Sequence, residues 1–226
     1  MKSNQLKTFW FHELPEQIIG DVIVVDAWAA SLNICILLAK KPTHLIVVNE
    51  QDLLKVKSFY SGAILVGESD ILVPRRFQAS NLPGDIDQVP AQDKTILWMS
   101  VNGSKVIEKA MKIIQNGQVF IGSTGNVKAL SRRFSKKLNS LNIIISGSRG
   151  KEVKEDKLCG KLIEKAILNL PINWKSEVEQ IMEAVKKTYP PFNWEKDINL
   201  IPDYLNRFLI VPKIIHNRNG FLEAIA

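Results

Sequence analysis

Cysteine and histidine are scarce in this sequence, with two of the first and three of the second among 226 residues. Cys35 and Cys159 stand far apart within apolar periodic stretches, the setting of buried free thiols in a reducing compartment, and no disulfide framework is expected. His12, His44 and His216 lack ligand or triad spacing, which disfavours histidine-based metal or nucleophile chemistry. Long apolar runs are missing too. The longest, Val22 to Ala39, is broken by Asp26, Ser31 and Asn33 and changes from strand-like to helix-like period halfway, so no membrane span is expected. The opening MKSNQLKTFWFHELPEQ has no apolar core and no small-residue cleavage site, which argues against a secretory signal and for a cytoplasmic location. The nucleotide loop GxxxxGK[ST] and the dinucleotide fingerprint GxGxxG are absent, which disfavours an ATPase or a dinucleotide enzyme.

What the chain does have is an apolar fraction of 46%, enough for a buried core, and a basic excess, with 30 Lys and Arg against 23 Asp and Glu. That excess bears on partners and not on fold. The pairs Arg75-Arg76, Arg132-Arg133 and Lys136-Lys137 come without any motif of a known nucleic-acid reader, so nucleic acid is disfavoured and small anionic ligands are favoured. Trp28, Trp98, Trp174 and Trp194 read as core or rim packing rather than a base-stacking platform.

Short β-branched runs recur between helical patterns: Val22–Val25, Leu45–Val48, Ala63–Val66, Thr95–Met99, Gln118–Ile121 and Asn142–Ile145. Each is apolar without alternation, as strands covered on both faces are. Between them, Val106, Ile107, Ala110, Met111 and Ile114, then Leu158, Leu162, Ile163, Ala166 and Ile167, recur at helical spacing. The pattern predicts an α/β fold, a three-layer α/β/α sandwich with a largely parallel or mixed sheet, in one domain over residues 1–226. Residues 171–226 are expected to complete it with a helix to about Lys187 and a strand at Phe208–Val211. Asp70–Asp93, rich in proline, is long for an idle connection and reads as functional or mobile.

Ligands of open α/β sheets bind beyond the carboxyl ends of the strands. Asp26 follows the first predicted strand, and Gly67-Glu68 with Asp70 follows the third. Small polar junctions follow three others: Ser100-Val101-Asn102-Gly103-Ser104, Gly122-Ser123-Thr124-Gly125-Asn126 and Ser146-Gly147-Ser148-Arg149-Gly150. Singly, each is the composition of an ordinary helix cap, and Asp26 could equally cap the helix after it. Gathered on one edge of a parallel sheet, the N–H and hydroxyl groups would bind an anion, while the acids would need a divalent cation between them and it. That combination points to metal-assisted phosphate chemistry.

These same residues resemble, in order, the 2-phosphosulfolactate phosphatase family from about Asp21 to Leu168. The similar motifs are VIVVDAWAAS with Asp26 and Ser31, Gly67-Glu68 followed by RFQASNLP with Phe77, Asn81 and Pro83, SVNGS at 100–104, Gly122–Val127 with Asn126, and SGSRGKEVKED with Glu155 and Asp156. The resemblance implies a Mg²⁺-dependent phosphatase that converts a small phosphorylated sulfo-acid to sulfolactate and phosphate, as in coenzyme M biosynthesis. It implies Asp26, Glu68 and Asp156 as metal ligands or acid/base groups. It implies Ser31, Asn81, Asn102, Gly103, Ser104, Asn126 and Ser148 as substrate or phosphate contacts, with Arg149 countering charge. The chain departs from the family at Ala29, where an arginine is usual, at Gln78 for an aspartate, at Ser80 for a glycine and at Lys105 for an arginine. Two readings stay open: a phosphatase, with water or Asp26 itself as nucleophile, and a small-anion-binding protein that lost turnover. Whether the chain forms a homo-oligomer is also open.

Overall fold

The structure is a computed structural model that describes residues 6–72, 76–189 and 195–226. In chain order the strands are β1 (Lys7–Trp10), β2 (Ile18–Ile19), β3 (Asp21–Val25), β4 (His44–Val48), β5 (Ile64–Gly67), β6 (Thr95–Met99), β7 (Ile114–Gln115), β8 (Val119–Gly122), β9 (Leu141–Ile145), β10 (Lys213–His216) and β11 (Leu222–Ile225). The helices are α1 (Ala30–Ala39), α2 (Leu53–Phe59), α3 (Pro83–Asp87), α4 (Gly103–Ile113), α5 (Val127–Phe134), α6 (Lys154–Ile167), α7 (Trp174–Thr188), α8 (Glu195–Asn199) and α9 (Ile201–Tyr204). All six strands expected from the apolar runs are present, each within a residue of its expected bounds. Together they form a three-layer α/β/α arrangement.

Nine strands join in one mixed sheet of order β1-β9-β3-β8-β10-β11-β4-β6-β5. It has two parallel parts, β1-β9-β3-β8 and β4-β6-β5. Between them sits the antiparallel hairpin β10–β11, antiparallel to β8 on one side and to β4 on the other. Along the ladder the two parallel parts therefore run in opposed directions, and no single parallel edge collects all the strand ends. They meet because the sheet twists. Adjacent strands rotate by roughly 20–25°, so the five steps from β3 to β6 accumulate about 100–125°.

Helix α1 is the post around which this happens. Its sequence ASLNICILLA has no polar face, and every residue from Ala30 to Leu37 is buried, as a helix apolar all round must be. On the second parallel part the strand faces separate cleanly. Leu45, Val47, Ile96 and Trp98 point into the main core with α1, while Ile46, Val48, Leu97 and Met99 pack with Leu53 and Val56 of α2. Cys35 and Cys159 are free and buried.

The expected strand at Phe208–Val211 is not one. The Phe208 N–H donates to Gly125 O at 2.9 Å and the Asn206 N–H to Thr124 O at 3.0 Å, which ties this segment to the turn after β8 and leaves Leu209 75% exposed. Pairing with β8 starts at Lys213, and the Pro212 carbonyl accepts from Ile121 N–H just before it. The long Asp70–Asp93 connection carries α3 and an isolated bridge from Ala79 to Val66. Arg75, Trp194 and most of the TYPPFNW stretch lie outside the described residues.

Candidate active site

The carboxyl ends of β3, β5, β6 and β9 open on a cleft of about 330 Å³, of the size that holds a small ligand. Asp26 leaves β3 and forms the floor, 7% exposed. Its Oδ1 accepts from Ala30 N–H at 3.1 Å and its own N–H donates to Ser31 Oγ at 3.1 Å. It thus caps the entry of α1 as well as facing the cleft. Asp156, 3% exposed in the first turn of α6, is clamped by two backbone donors. Ala27 N–H reaches Oδ1 at 2.7 Å and Gly147 N–H reaches Oδ2 at 2.9 Å.

Neither buried carboxylate has a salt-bridge partner among the described residues, and the consequence is electrostatic. Burial first, then the carboxylates of Glu68 and Glu155, push Asp26 up to about 7. Burial and the neighbouring Asp26 hold Asp156 well above its ordinary value. Glu68, beyond β5 on the opposite wall, is also raised by burial, with Ser100 and Asn81 hydrogen-bonding to it as partial compensation. A charge pair this poorly compensated in a low-dielectric floor is the usual mark of a group tuned for chemistry or for a cation.

The walls come from both parallel parts. Asn81 lines the cleft and is anchored by Asn33, whose Nδ2 donates to Asn81 Oδ1 at 2.8 Å and to Asn81 O at 2.9 Å. Asn102, after β6, accepts at Oδ1 from Arg149 N–H at 2.8 Å, a bond that joins the end of β6 to the end of β9. Arg149 crosses the mouth to Asp70, Nη2 to Oδ1 at 2.7 Å, both partly exposed. Ser148, Gly147, Trp28, Ala29, Ser69, Ser100, Val101 and Tyr189 complete the lining.

Of the residues singled out from sequence, Asp26, Glu68, Asp156, Asn81, Asn102, Ser148 and Arg149 thus share one cleft. Three others stand one step behind it. Ser31 supports the Asp26 backbone, and Ser104 Oγ accepts from Ser100 N–H at 3.0 Å. Gly103 lets α4 approach α1, since a Cβ there would lie 2.6 Å from Ala30 Cβ. Asn126 is elsewhere. Fully buried, it spends its amide on Ser123 N–H, Ile121 O and Ile210 O, so the junction after β8 is a structural cap and its expected phosphate contact is replaced by a hold on the C-terminal tail. Arg76 is exposed and does not line the cleft. Sequence reasoning missed Tyr189, which enters from the end of α7, and no motif ties it to the strand ends.

The residues of the floor suit a hard dication. Among the described residues the three carboxylates do not make a closed cage: the one cluster of three with ligand atoms within 4.8 Å of each other is His12, Glu13 and Glu152, all exposed. Mg²⁺ does not need a cage, because it keeps several waters and uses one or two carboxylates with phosphate oxygens.

The order of motifs along the chain and this geometry agree with one family. Residues 9–199 match the family described as 2-phosphosulpholactate phosphatase. The chain belongs to that family. Relatives named probable 2-phosphosulfolactate phosphatase occur in Clostridium novyi (strain NT), 31% identical over 149 residues, 65% of this chain and 62% of the relative. Another, in Thermotoga maritima, is 26% identical over 169 residues, 74% of this chain and 71% of the relative. A third, in Clostridium botulinum (strain Eklund 17B / Type B), is 22% identical over 190 residues, 82% and 76%. The chain spans less than two thirds of the length of the Clostridium novyi relative. The departures from the 2-phosphosulpholactate phosphatase pattern fall in different places: Ala29 lines the cleft, whereas Gln78, Ser80 and Lys105 are exposed and lie outside the lining. The match ends before the β10–β11 hairpin, the central piece of the sheet.

Proposed function

We propose that this cleft hydrolyses the phosphate monoester of a small hydroxy- or sulfo-acid with the help of Mg²⁺, in the sense of the relatives' name, 2-phosphosulfolactate to sulfolactate and phosphate. The observation that carries the reading is the floor: Asp26 and Asp156 are buried, raised and unpaired by cations, directly beneath walls that offer amide, hydroxyl and guanidinium donors. Ionised, such a floor would repel a dianionic phosphate, so this reading calls for a dication between them. Asp26 and Asp156 would hold it from the floor and Glu68 from the opposite wall. When bound, the ion would neutralise charge on the phosphoryl oxygens and lower the pKa of a water.

The chain's own groups have separate duties. Asn81, Asn102 and Ser148 direct donors at the phosphate, Arg149 turns from Asp70 toward it, and the Ala27 and Gly147 N–H groups keep Asp156 in place. Water attacks phosphorus, the ester P–O bond breaks, and the substrate oxygen leaves with a proton. The attacking water gives up one proton as it bonds to phosphorus, which balances the one the leaving oxygen takes, so Asp26 can stay an ionised ligand throughout. Loss of turnover, the second reading, is favoured by Ala29, which leaves the lining without the fork-shaped donor that the resemblance implies there.

Phosphate release from a panel of small phosphate esters, 2-phosphosulfolactate included, measured with and without Mg²⁺, separates the two. Mg²⁺-dependent release is the expected result. Anion binding without release from any ester would leave the second reading standing and remove the first.

A further inference from the structure

We propose that Tyr189 is a substrate-contacting residue of this cleft, held in place by a hydrogen-bonded latch between Thr188 and Glu155. The proposal rests on the phosphatase reading and adds to it a residue from a part of the chain that supplies no strand end. Tyr189 follows α7 directly, and its N–H still donates to Val185 O at 3.0 Å, so its backbone is held to the end of the helix. Its side chain lines the cleft with Asp26, Asp156 and Ser148, and its phenol is hydrogen-bonded to the Ser148 side chain. Ser148 lies on the loop after β9 that faces the phosphate in this reading. The phenol therefore sits beside the place this reading gives the anion.

Pro190 after Tyr189 stops α7 here, and the latch fixes where that end lies against α6. Thr188 Oγ1 lies 2.8 Å from Glu155 Oε2 and 3.1 Å from Ala184 O. Glu155 is 0% exposed and immediately precedes Asp156 in α6. Its Oε1 has no hydrogen-bond partner among the described residues, so its commitment within the fold is to Thr188. A wholly buried carboxyl held by its own backbone N–H and one hydroxyl from another helix is a costly way to fill space, and an apolar residue would pack there more cheaply. Its position makes sense if the α7 terminus must be registered against the Asp156 turn. A tyrosine phenol is neutral at physiological pH. The group therefore keeps its proton and can donate a hydrogen bond to a phosphoryl or leaving-group oxygen.

Tyr189→Phe keeps the ring and removes that donor. In Mg²⁺-supported phosphate release it should lose roughly 10- to 100-fold in kcat/KM, mostly in kcat, with an unchanged thermal midpoint. Inorganic phosphate binding to the Mg²⁺-loaded protein, followed by calorimetry, should weaken in parallel. Thr188→Val should cost roughly 3- to 10-fold, chiefly in KM, and Thr188→Ser should restore it. A Tyr189→Phe protein that binds phosphate and turns over ester as the parent does would overturn the contact while leaving the phosphatase reading intact. Equal losses in the Val and Ser variants of Thr188 would overturn the latch. A parent protein that neither binds phosphate nor releases it would overturn both readings together.

Discussion

The junctions after β6 and β8 are written in almost the same alphabet, Ser-Val-Asn-Gly-Ser and Gly-Ser-Thr-Gly-Asn, and the fold uses them for opposite purposes. At the first, Asn102 faces the cleft, with the Ser100 and Ser104 hydroxyls bracing the turn beneath it. At the second, Ser123 and Asn126 form a reciprocal capping box and the asparagine amide also grips Ile210 O. The difference is what lies above each turn. Over β6 there is open space between the two parallel parts of the sheet. Over β8 the segment Asn206–Phe208 is laid down and bonded to Thr124 and Gly125 carbonyls. A small polar turn at a strand end is thus a site only where no other part of the chain claims its donors.

The largest effect that tests this contrast belongs to the floor. Asp26→Asn should lower Mg²⁺-dependent phosphate release by roughly 10²- to 10⁴-fold, and near-parental release would remove Asp26 from the chemistry. The same variant reports on pH. The native carboxyl, raised from 3.8 to about 7, keeps a proton that the unfolded chain has already released across that window. Native stability of the metal-free protein should therefore fall as pH rises from about 4 to 7, by up to about 4 kcal/mol at 1.36 kcal/mol per unit. Thermal midpoints at pH 5 and pH 8 in chelator should differ clearly in the parent and less in Asp26→Asn, where Asp156, raised chiefly by burial, still contributes in the same direction.

The two asparagines should separate next. Asn126→Ala leaves the Ser123 N–H and the Ile121 carbonyl buried without this partner and should cost about 2–4 kcal/mol of stability, with phosphate affinity preserved in the folded fraction. Asn102→Ala should do the reverse, with little change in midpoint and about a 10-fold weaker phosphate affinity, one charge-assisted hydrogen bond's worth. If both variants lose stability and keep affinity, the cleft is drawn in the wrong place. The smallest effect lies at the mouth. The Arg149–Asp70 pair is exposed and adds little to stability. Asp70→Asn should release the guanidinium toward an anion and strengthen phosphate binding by about two- to three-fold, an effect that vanishes in an Arg149→Ala background.

The strands and the cleft acids were legible for a common reason. A strand covered on both faces must be an apolar run, so VIVV, LIVV, TILWM and NIII declare themselves, and an acid directly after such a run has to sit at a strand end. Phe208–Val211 carries the same signal and is no strand, because which segment pairs with β8 was settled by bonds to residues some 80 positions away, Gly125 and Thr124 among them. The edge strand Lys7–Trp10 failed in the opposite sense: half exposed, it needs no apolar run and shows none. Asn126 looked like Asn102 because sequence records a turn's composition and not what lies over it. Tyr189 was hidden more deeply, since its place in the cleft depends on where the end of α7 at Thr188 lies against the turn that carries Asp156.

One feature of the sheet bears on how this chain reaches its native state. The β10–β11 hairpin, last of the strands in sequence, occupies the middle of the ladder, between β8 and β4. During synthesis both parallel parts emerge with an unpaired strand each, and neither can close against the other until the hairpin arrives. The contacts it makes are among the longest in sequence in the molecule, Glu223 against Ile46 for example, and such non-local closure is slow. The nascent chain therefore exposes two sticky inner edges from the end of β8 at Gly122 until the hairpin begins at Lys213, and a product lacking the hairpin would offer β8 and β4 as templates for intermolecular pairing.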